Sequence, residues 1–273
     1  MAVRSGSDAV AWLVGAAAVA GVVVSAGLVD VSGMLRPAAP APVAAPAPAA
    51  TSAPPFVKVV KAAEPAAVRS GSAGCGGGRH QREIERNLAT LGAYRDVTVD
   101  GESSAADCAA IRAFQQRYGV RPARGQADAT TADVARRIAT ASAPANLARC
   151  QISDGVTACV DLTTQTTWVV RDGAVVFGPT VVRTGYRGHA TPAGTYTINK
   201  RAKREWSNPY EVWLPFWQRF VGGIGFHETT TYLHDKARGS HGCVNLLPAD
   251  AAAMWDQLET GTEVHTFGRR PGT

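Results

Sequence analysis

The stretch Ser240-His241-Gly242-Cys243-Val244-Asn245, with Phe226-His227 ahead of it, decides how this chain is interpreted, because it sets a cysteine beside a glycine and near two histidines. In an exported protein, an odd cysteine is a candidate nucleophile. The chain has five cysteines, and the four that lie outside this stretch can pair: Cys75, Cys108, Cys150 and Cys159. Unless a second chain joins it, Cys243 is the thiol left unpaired.

The residues around Cys243 include the groups that a thiol nucleophile needs. A cysteine of ordinary pKa, about 8.5, is mostly protonated at neutral pH, and only the thiolate attacks well. An imidazole that takes the proton removes this obstacle, and we predict that His227, at the end of a neighbouring strand, is that base. The amides of Gly242 and Cys243 are the predicted donors to a tetrahedral oxyanion. His241 is a third catalytic candidate, which assists, binds substrate or shapes the loop.

Two other interpretations of the motif remain open. Cys243 also fits a buried free cysteine without a chemical role. Zinc is the main chemical alternative, because enough ligand types are present: His227, His234, Asp235, His241 and Cys243. Their spacing matches neither H-E-x-x-H nor paired C-x-x-C, so we predict no metal and no cofactor. We expect His189, His234 and His265 to lie in loops or at strand ends without a catalytic role.

From Gln151 onward the pattern has period two and is rich in Val and Thr, which predicts strands. Asp172-Gly173, between Val170 and Val175, predicts a type I′ hairpin. Pro248 begins a predicted helix over 248–258. We place strands at Val156–Leu162, Thr167–Arg171, Ala174–Arg183, Thr195–Lys200, Tyr210–Phe216 and Val264–Phe267. Together these elements predict a mainly β domain with one helix. A disulfide between Cys150 and Cys159 would fix the start of this domain.

Residues 75–145 have the apolar spacing of a small three-helix domain. The predicted helices are Arg82–Leu91, Cys108–Tyr118 and Thr131–Ile138. A domain this small has little core of its own, so a disulfide is expected to support it. We predict Cys75–Cys108, which would tie the incoming chain to the second helix.

The first 74 residues are not expected to join either domain. Val10 to Val29 is an apolar run of the length that spans a hydrocarbon core of about 30 Å, so 1–36 is predicted to be a short cytoplasmic tip and a membrane anchor. A cleaved signal peptide is the alternative. Residues 37–74 form a Pro/Ala-rich linker. The formal net charge of +6 favours polyanionic surroundings such as a cell wall, and no pattern indicates nucleic-acid binding.

The chain resembles the L,D-transpeptidase catalytic domain family over residues 150–269. The family motif is a His, a spacer, then Ser/Thr-His-Gly-Cys-x-Asn, matched here by His227 and Ser240–Asn245. Ala190-Thr191-Pro192-Ala193-Gly194-Thr195-Tyr196 is similar to an upstream Thr-Pro-x-Gly-aromatic segment of the family. Glu228 departs from the family, which often has a small residue after the first His.

This resemblance implies a β-sandwich and a two-step acyl transfer on peptidoglycan. Cys243 would attack the carbonyl of the third residue of a tetrapeptide stem, release D-alanine and form a thioester. The amine of a second stem would resolve it into a 3→3 cross-link. His227 would act as base and then as acid, while Ser240 and Asn245 would position substrate. The family is also acylated by carbapenems. The alternatives are an L,D-carboxypeptidase that uses water and an inert wall-binding module.

Residues 75–145 resemble a peptidoglycan-binding-like three-helix domain. The similarity lies in Val99-Asp100-Gly101, Ala110-Ile111 with Phe114-Gln115, Gly119 and Asp128-Ala129-Thr130-Thr131. Together the two resemblances imply a monomeric enzyme of the bacterial cell envelope, outside the cytoplasm. It would be held at the membrane by residues 10–29, and its partners would be donor and acceptor stems.

Overall fold

A computed structural model describes residues 75–273, beginning with a bundle of helices. The predicted anchor at 10–29 and the linker at 37–74 lie outside the described residues. Within residues 75–273, no helix is long and apolar enough to cross a membrane. The bundle consists of α1 Gln81–Leu91, α2 Ala105–Arg117, α3 Ala129–Ser142 and the single turn α4 Pro144–Leu147.

Capping side chains explain why two of these helices begin earlier than predicted. Ser104 accepts from the Asp107 amide and the Asp107 carboxylate accepts from the Ser104 amide, which is a capping box. Asp128 accepts from the Thr131 amide at the start of α3. Apolar periodicity alone placed these starts two or three residues late. A disulfide joins Cys75 to Cys108 on α2, with 5.7 Å between the Cα atoms.

The rest of the described chain forms two β-sheets and one helix, α5 Pro248–Gln257. The five-stranded sheet has the order β3-β2-β1-β9-β4, and the four-stranded sheet has the order β5-β6-β7-β8. The strands are β1 Val156–Asp161, β2 Thr166–Arg171, β3 Ala174–Val181, β4 Gly194–Thr197, β5 Lys200–Ser207, β6 Val212–Val221, β7 Ile224–Glu228, β8 Val244–Leu246 and β9 Glu263–Phe267. One buried apolar cluster takes residues from both sheets and from α5.

Sequence patterns predicted some elements of the β region correctly and missed or misplaced others. The Asp172-Gly173 hairpin is confirmed: Arg171 pairs with Ala174 and both turn residues have positive φ. The predicted strand Thr195–Lys200 is wrong in its extent. The chain passes from one sheet to the other at Ile198, whose amide donates to the Thr262 carbonyl. β5 was missed because its sequence, KRAKREWS, has little apolar alternation. A second disulfide joins Cys150 to Cys159.

The helices pack directly against the β region. Val181 and Leu233 are buried in the same apolar cluster as Ile84, Ile111 and Phe114. Polar contacts reinforce the contact surface. The Arg137 side chain donates to the Thr164, Gln165 and Val182 carbonyls. Arg117 forms an ion pair with Asp250. The His234 ring forms a hydrogen bond with the Tyr118 carbonyl. The helices therefore touch the segment that connects His227 to the cysteine motif.

Candidate active site

Two neighbouring parallel strands bring His227 and Cys243 to one cavity. His227 lies on β7 opposite Asn245 of β8, and Phe226 lies opposite Val244. Because side chains alternate along a strand, Asn245 shares the sheet face of its partner His227, and Cys243 lies two residues before Asn245, just ahead of β8. A cavity of about 650 Å³ opens on this face, lined by residues that include His227 and Cys243.

The His227 imidazole is fixed in the tautomer that a base requires. Its Nδ1 lies 2.8 Å from the Glu228 carbonyl oxygen, which can only accept, so Nδ1 carries the hydrogen. The other nitrogen, Nε2, is then left with a free lone pair. Burial lowers the pKa of His227 to about 4, against a smaller opposing effect of this hydrogen bond. The imidazole is therefore neutral at pH 7.

The Cys243 thiol is the free cysteine of the described chain. Its Sγ lies 3.8 Å from the Gly223 carbonyl oxygen. Burial raises the pKa of Cys243, and a backbone hydrogen bond with Gly225 acts in the opposite direction. At neutral pH, the cavity is thus lined by a thiol and a neutral imidazole rather than by a thiolate and an imidazolium.

Side chains hold the backbone of the cysteine motif on both sides. Ser240 Oγ donates to the Cys243 carbonyl and accepts from the Gly242 amide at 3.1 Å. Thr191 Oγ1 donates to the Gly242 carbonyl at 2.6 Å and accepts from the Gly185 amide at 3.0 Å. The segment that contains Thr191 and Pro192 therefore helps to hold the backbone of the cysteine motif in place.

The motif geometry changes two of the residue roles expected from the sequence. The Gly242 amide is already bonded to Ser240, so it is not free to be the oxyanion donor that we predicted. The Cys243 amide has no acceptor among residues 75–273 and stays a candidate. Ser240 lines the cavity, but it is buried and its hydroxyl is bonded within the loop, so it supports the motif backbone at the cavity wall.

Asn245 is also more deeply placed than a residue in contact with substrate would be. It is 1% exposed and does not line the cavity. Its Nδ2 donates to the Tyr232 hydroxyl at 2.6 Å, while its Oδ1 is buried without a partner in the described chain. Tyr232 does line the cavity. Asn245 therefore acts on the cavity through Tyr232, a residue that the sequence did not single out.

His241 belongs to an exposed cluster of rings at the cavity edge. Tyr210 stacks on it with 4.6 Å between centroids, and His189 lies edge-on at 4.5 Å. Tyr186 Oη lies 3.0 Å from His241 Nε2. His189, expected in a loop without a role, joins this cluster. His241 thus links the β5–β6 turn to the cysteine motif.

Buried arginines hold the long segment between His227 and Cys243. Arg270 donates to the carbonyls of Thr184, Gly185, Lys236 and Arg238. Arg183 donates to the Leu233 carbonyl at 3.0 Å, and burial lowers the pKa of Arg183 to about 10. No sequence pattern indicated these roles, because each depends on carbonyls distant in the chain. Across the described residues, no group of three or more His, Cys, Asp or Glu side chains could hold a metal ion.

Comparison with known proteins places the chain in a family. Residues 155–266 match the family model YkuD, the L,D-transpeptidase catalytic domain. An L,D-transpeptidase from Stackebrandtia nassauensis is 48% identical, with 76% of this chain and 100% of that chain covered and a TM-score of 0.71. One from Xylanimonas cellulosilytica is 24% identical (75% and 100% covered, TM-score 0.42), and one from Mycobacterium smegmatis is 25% identical (41% and 58%, TM-score 0.37). No curated protein matches the chain.

The chain belongs to the L,D-transpeptidase family. Enzymes of this family are acyltransferases that act on peptidoglycan stem peptides, and their work therefore lies in the cell envelope, outside the cytoplasm. The family match begins at residue 155, so the resemblance of residues 75–145 to a peptidoglycan-binding-like domain stays a prediction.

Proposed function

We propose that this protein is a cysteine-dependent L,D-transpeptidase that forms 3→3 cross-links through a thioester. The observation that carries the proposal is that Cys243 and a neutral His227 line the same cavity, where β7 and β8 run side by side. Donation of the His227 Nδ1 hydrogen to Glu228 leaves Nε2 ready to accept a proton. A nucleophile, a base and a group that orients the base are the minimum for acyl transfer.

In the first half-reaction, Cys243 Sγ attacks the carbonyl carbon of the third residue of a tetrapeptide stem, and the thiol proton passes to His227 Nε2. The Cys243 amide is the candidate donor to the oxyanion. When the tetrahedral intermediate collapses, the C–N bond breaks and the departing D-alanine takes the proton from His227. The product is a thioester on Cys243.

In the second half-reaction, the side-chain amine of another stem attacks the thioester carbonyl. His227 accepts a proton from this amine, the C–S bond breaks, and the sulfur of Cys243 regains a proton. The new amide is the cross-link. Because the thioester retains the free energy of the broken peptide bond, the reaction needs no nucleotide.

Intact-protein mass spectrometry on the full-length protein tests the proposal. After mixing with a tetrapeptide donor, we expect one adduct, equal to the donor minus D-alanine, which maps to Cys243. A carbapenem should label the same residue. Cys243→Ala should give no adduct while staying folded, and His227→Ala should slow acylation by about 10²- to 10⁴-fold.

The matched control is His80→Ala, because His80 lies at the start of α1 and does not line the cavity. It should acylate at the wild-type rate. An adduct that persists in Cys243→Ala would refute the cysteine mechanism. Product analysis with an acceptor stem then separates cross-linked dimer from the tripeptide that an L,D-carboxypeptidase would release.

A further inference from the structure

The hairpin of β5 and β6 carries an unusual amount of exposed aromatic surface. Among the described residues, seven large hydrophobic side chains are exposed, and four of them lie in this hairpin: Trp206, Tyr210, Val212 and Trp213. We call these four residues the hairpin patch. Contiguous exposed apolar surface of this kind marks an interaction site more often than isolated exposed residues do.

The two tryptophans of the hairpin patch pack against each other across neighbouring strands. Trp206 and Trp213 are directly opposite each other in the strand register. Their ring centroids are 5.2 Å apart with an interplanar angle of 65°. The Arg204 guanidinium lies 4.1 Å from the Trp213 ring centroid. Both indoles are nonetheless more than 40% exposed (44% and 47%). The surface therefore offers aromatic rings together with an oriented hydrogen-bond donor.

The hairpin patch is continuous with the active-site cavity. Trp206, Tyr210 and Val212 line the cavity as well as belonging to the patch, and Glu205 and Leu214 of the same strands also line it. Trp213 lies just outside this lining. Trp206 is thus shared between the indole pair and the cavity lining, so a molecule that leaves the cavity past Trp206 meets the indole pair.

We infer that the hairpin patch is a binding surface for the glycan strand to which the stem peptide is attached. This inference rests on the proposed function, because a stem in the cavity carries its polysaccharide with it. A sugar ring has an apolar face of C–H bonds and a rim of hydroxyl and acetamido groups. Trp206 and Trp213 suit the apolar face, and the guanidinium of Arg204, which lies against the Trp213 ring, suits the rim oxygens.

The polarity of the hairpin tip favours a polysaccharide over a lipid surface. The turn between the strands carries Asn208 and Glu211, and both are exposed. A surface that enters a bilayer interface leads with apolar residues and keeps its acidic groups away. Here an acidic side chain lies within the turn that would enter first.

Calorimetric titration of the full-length protein with peptide-free glycan oligosaccharides tests the inference directly. We expect the wild type to bind and Trp213→Ala to weaken binding at least tenfold. Arg204→Gln, which keeps both indoles, should weaken it about threefold. The matched control is Val176→Ala, because Val176 is also an exposed large hydrophobic residue but lies on β3 and does not line the cavity. That variant should bind as the wild type does.

A kinetic comparison separates this inference from the proposed function. Turnover of a free tetrapeptide tests the function alone. The ratio of kcat/KM for a disaccharide-linked donor to that for the free tetrapeptide tests the glycan surface, and we expect this ratio to fall towards one in Trp213→Ala. Absence of glycan binding at millimolar concentration, or binding unchanged in Trp213→Ala, would overturn the inference. Binding to anionic lipid vesicles that requires Trp213, without glycan binding, would also overturn it.

Discussion

The pKa shifts of Cys243 and His227 both disfavour a thiolate–imidazolium ion pair. Burial raises the first and lowers the second to about 4, so neutral forms dominate both residues over the physiological range. In the proposed mechanism, proton transfer from Sγ to Nε2 therefore accompanies attack rather than preceding it. This favours a thiol that reacts with a carbonyl held in the cavity over one that reacts with any electrophile in solution.

The pH dependence of acylation follows from the neutral imidazole. We expect kcat/KM to be flat between about pH 5.5 and 7 and to fall as pH drops through about 4, where His227 becomes protonated and loses its acceptor. Carbapenem acylation rates measured across this range give the profile. An acid limb centred near pH 6.5 would contradict the buried, neutral base. Circular dichroism at each pH identifies any loss caused by unfolding.

The hydrogen bond between Tyr232 and Asn245 makes a second residue-scale prediction. Tyr232→Phe would leave the buried Asn245 amide without a partner at Nδ2 as well as at Oδ1. We expect a loss of about 1–3 kcal/mol in the free energy of unfolding and a lower acylation rate. Urea denaturation measures the free energy of unfolding. The control is Tyr196→Phe, whose hydroxyl donates to the Ala193 carbonyl at an exposed position and should cost little.

At the scale of elements, the cysteine motif is held in place by a segment far from it in sequence. Gly242 has a φ of +120°, which residues with a side chain rarely adopt, and a Cβ there would lie 2.8 Å from Ile224 Cδ1, so the Ile224 side chain would have to move. Thr191 fixes the Gly242 carbonyl from the other side. The motif is thus clamped between β7 and the Thr-Pro segment.

Thr191→Val tests this clamp without changing side-chain shape. The substitution removes the hydroxyl that joins the Gly242 carbonyl to the Gly185 amide. We expect about a tenfold decrease in acylation rate and a loss of about 1–3 kcal/mol in stability, because two buried backbone groups lose their partner. Thr90→Val, on the exposed face of α1, should change neither. Wild-type acylation in Thr191→Val would show that the motif holds its own conformation.

The sequence was informative where the determining interactions are local. The hairpin at Asp172-Gly173 and the helix that begins at Pro248 depend on neighbouring residues and were predicted correctly. The nucleophile and base were proposed from motif and cysteine count. The roles of Tyr232, Arg270 and Thr191 depend on contacts over 13 to 86 residues, which no local pattern encodes. The Gly242 amide was misassigned because its bond to Ser240 is visible only in three dimensions.

At the scale of the whole described chain, buried neutral histidines couple stability to pH. Burial lowers the pKa values of His227 and His234 to about 4 and also lowers that of His265. The unfolded chain therefore binds more protons than the folded one between about pH 4 and 6.5. Since stability rises with pH where the unfolded state binds more protons, it should fall as pH drops through this range.

His234→Gln isolates one part of that pH dependence. Glutamine can still donate to the Tyr118 carbonyl, which His234 Nε2 contacts at 2.7 Å, but it does not titrate. We expect the stability lost between pH 7 and pH 4.5 to shrink by about 2 kcal/mol relative to wild type. Urea unfolding at several pH values measures this difference, and His80→Gln is the control. An unchanged loss in His234→Gln would mean that the pKa of His234 is the same in the folded and unfolded chains.

The contact surface between the helices and the β region has a consequence for how such proteins can be recombined. Val181 and Leu233 belong to the helical cluster, and Asp250 is partnered by Arg117. Exchanging residues 75–147 for another module would uncover apolar side chains and leave a buried carboxylate without its cation. A graft would therefore have to reproduce a fitted surface, not merely a linker, and shuffling at this boundary would succeed only between chains whose surfaces already match.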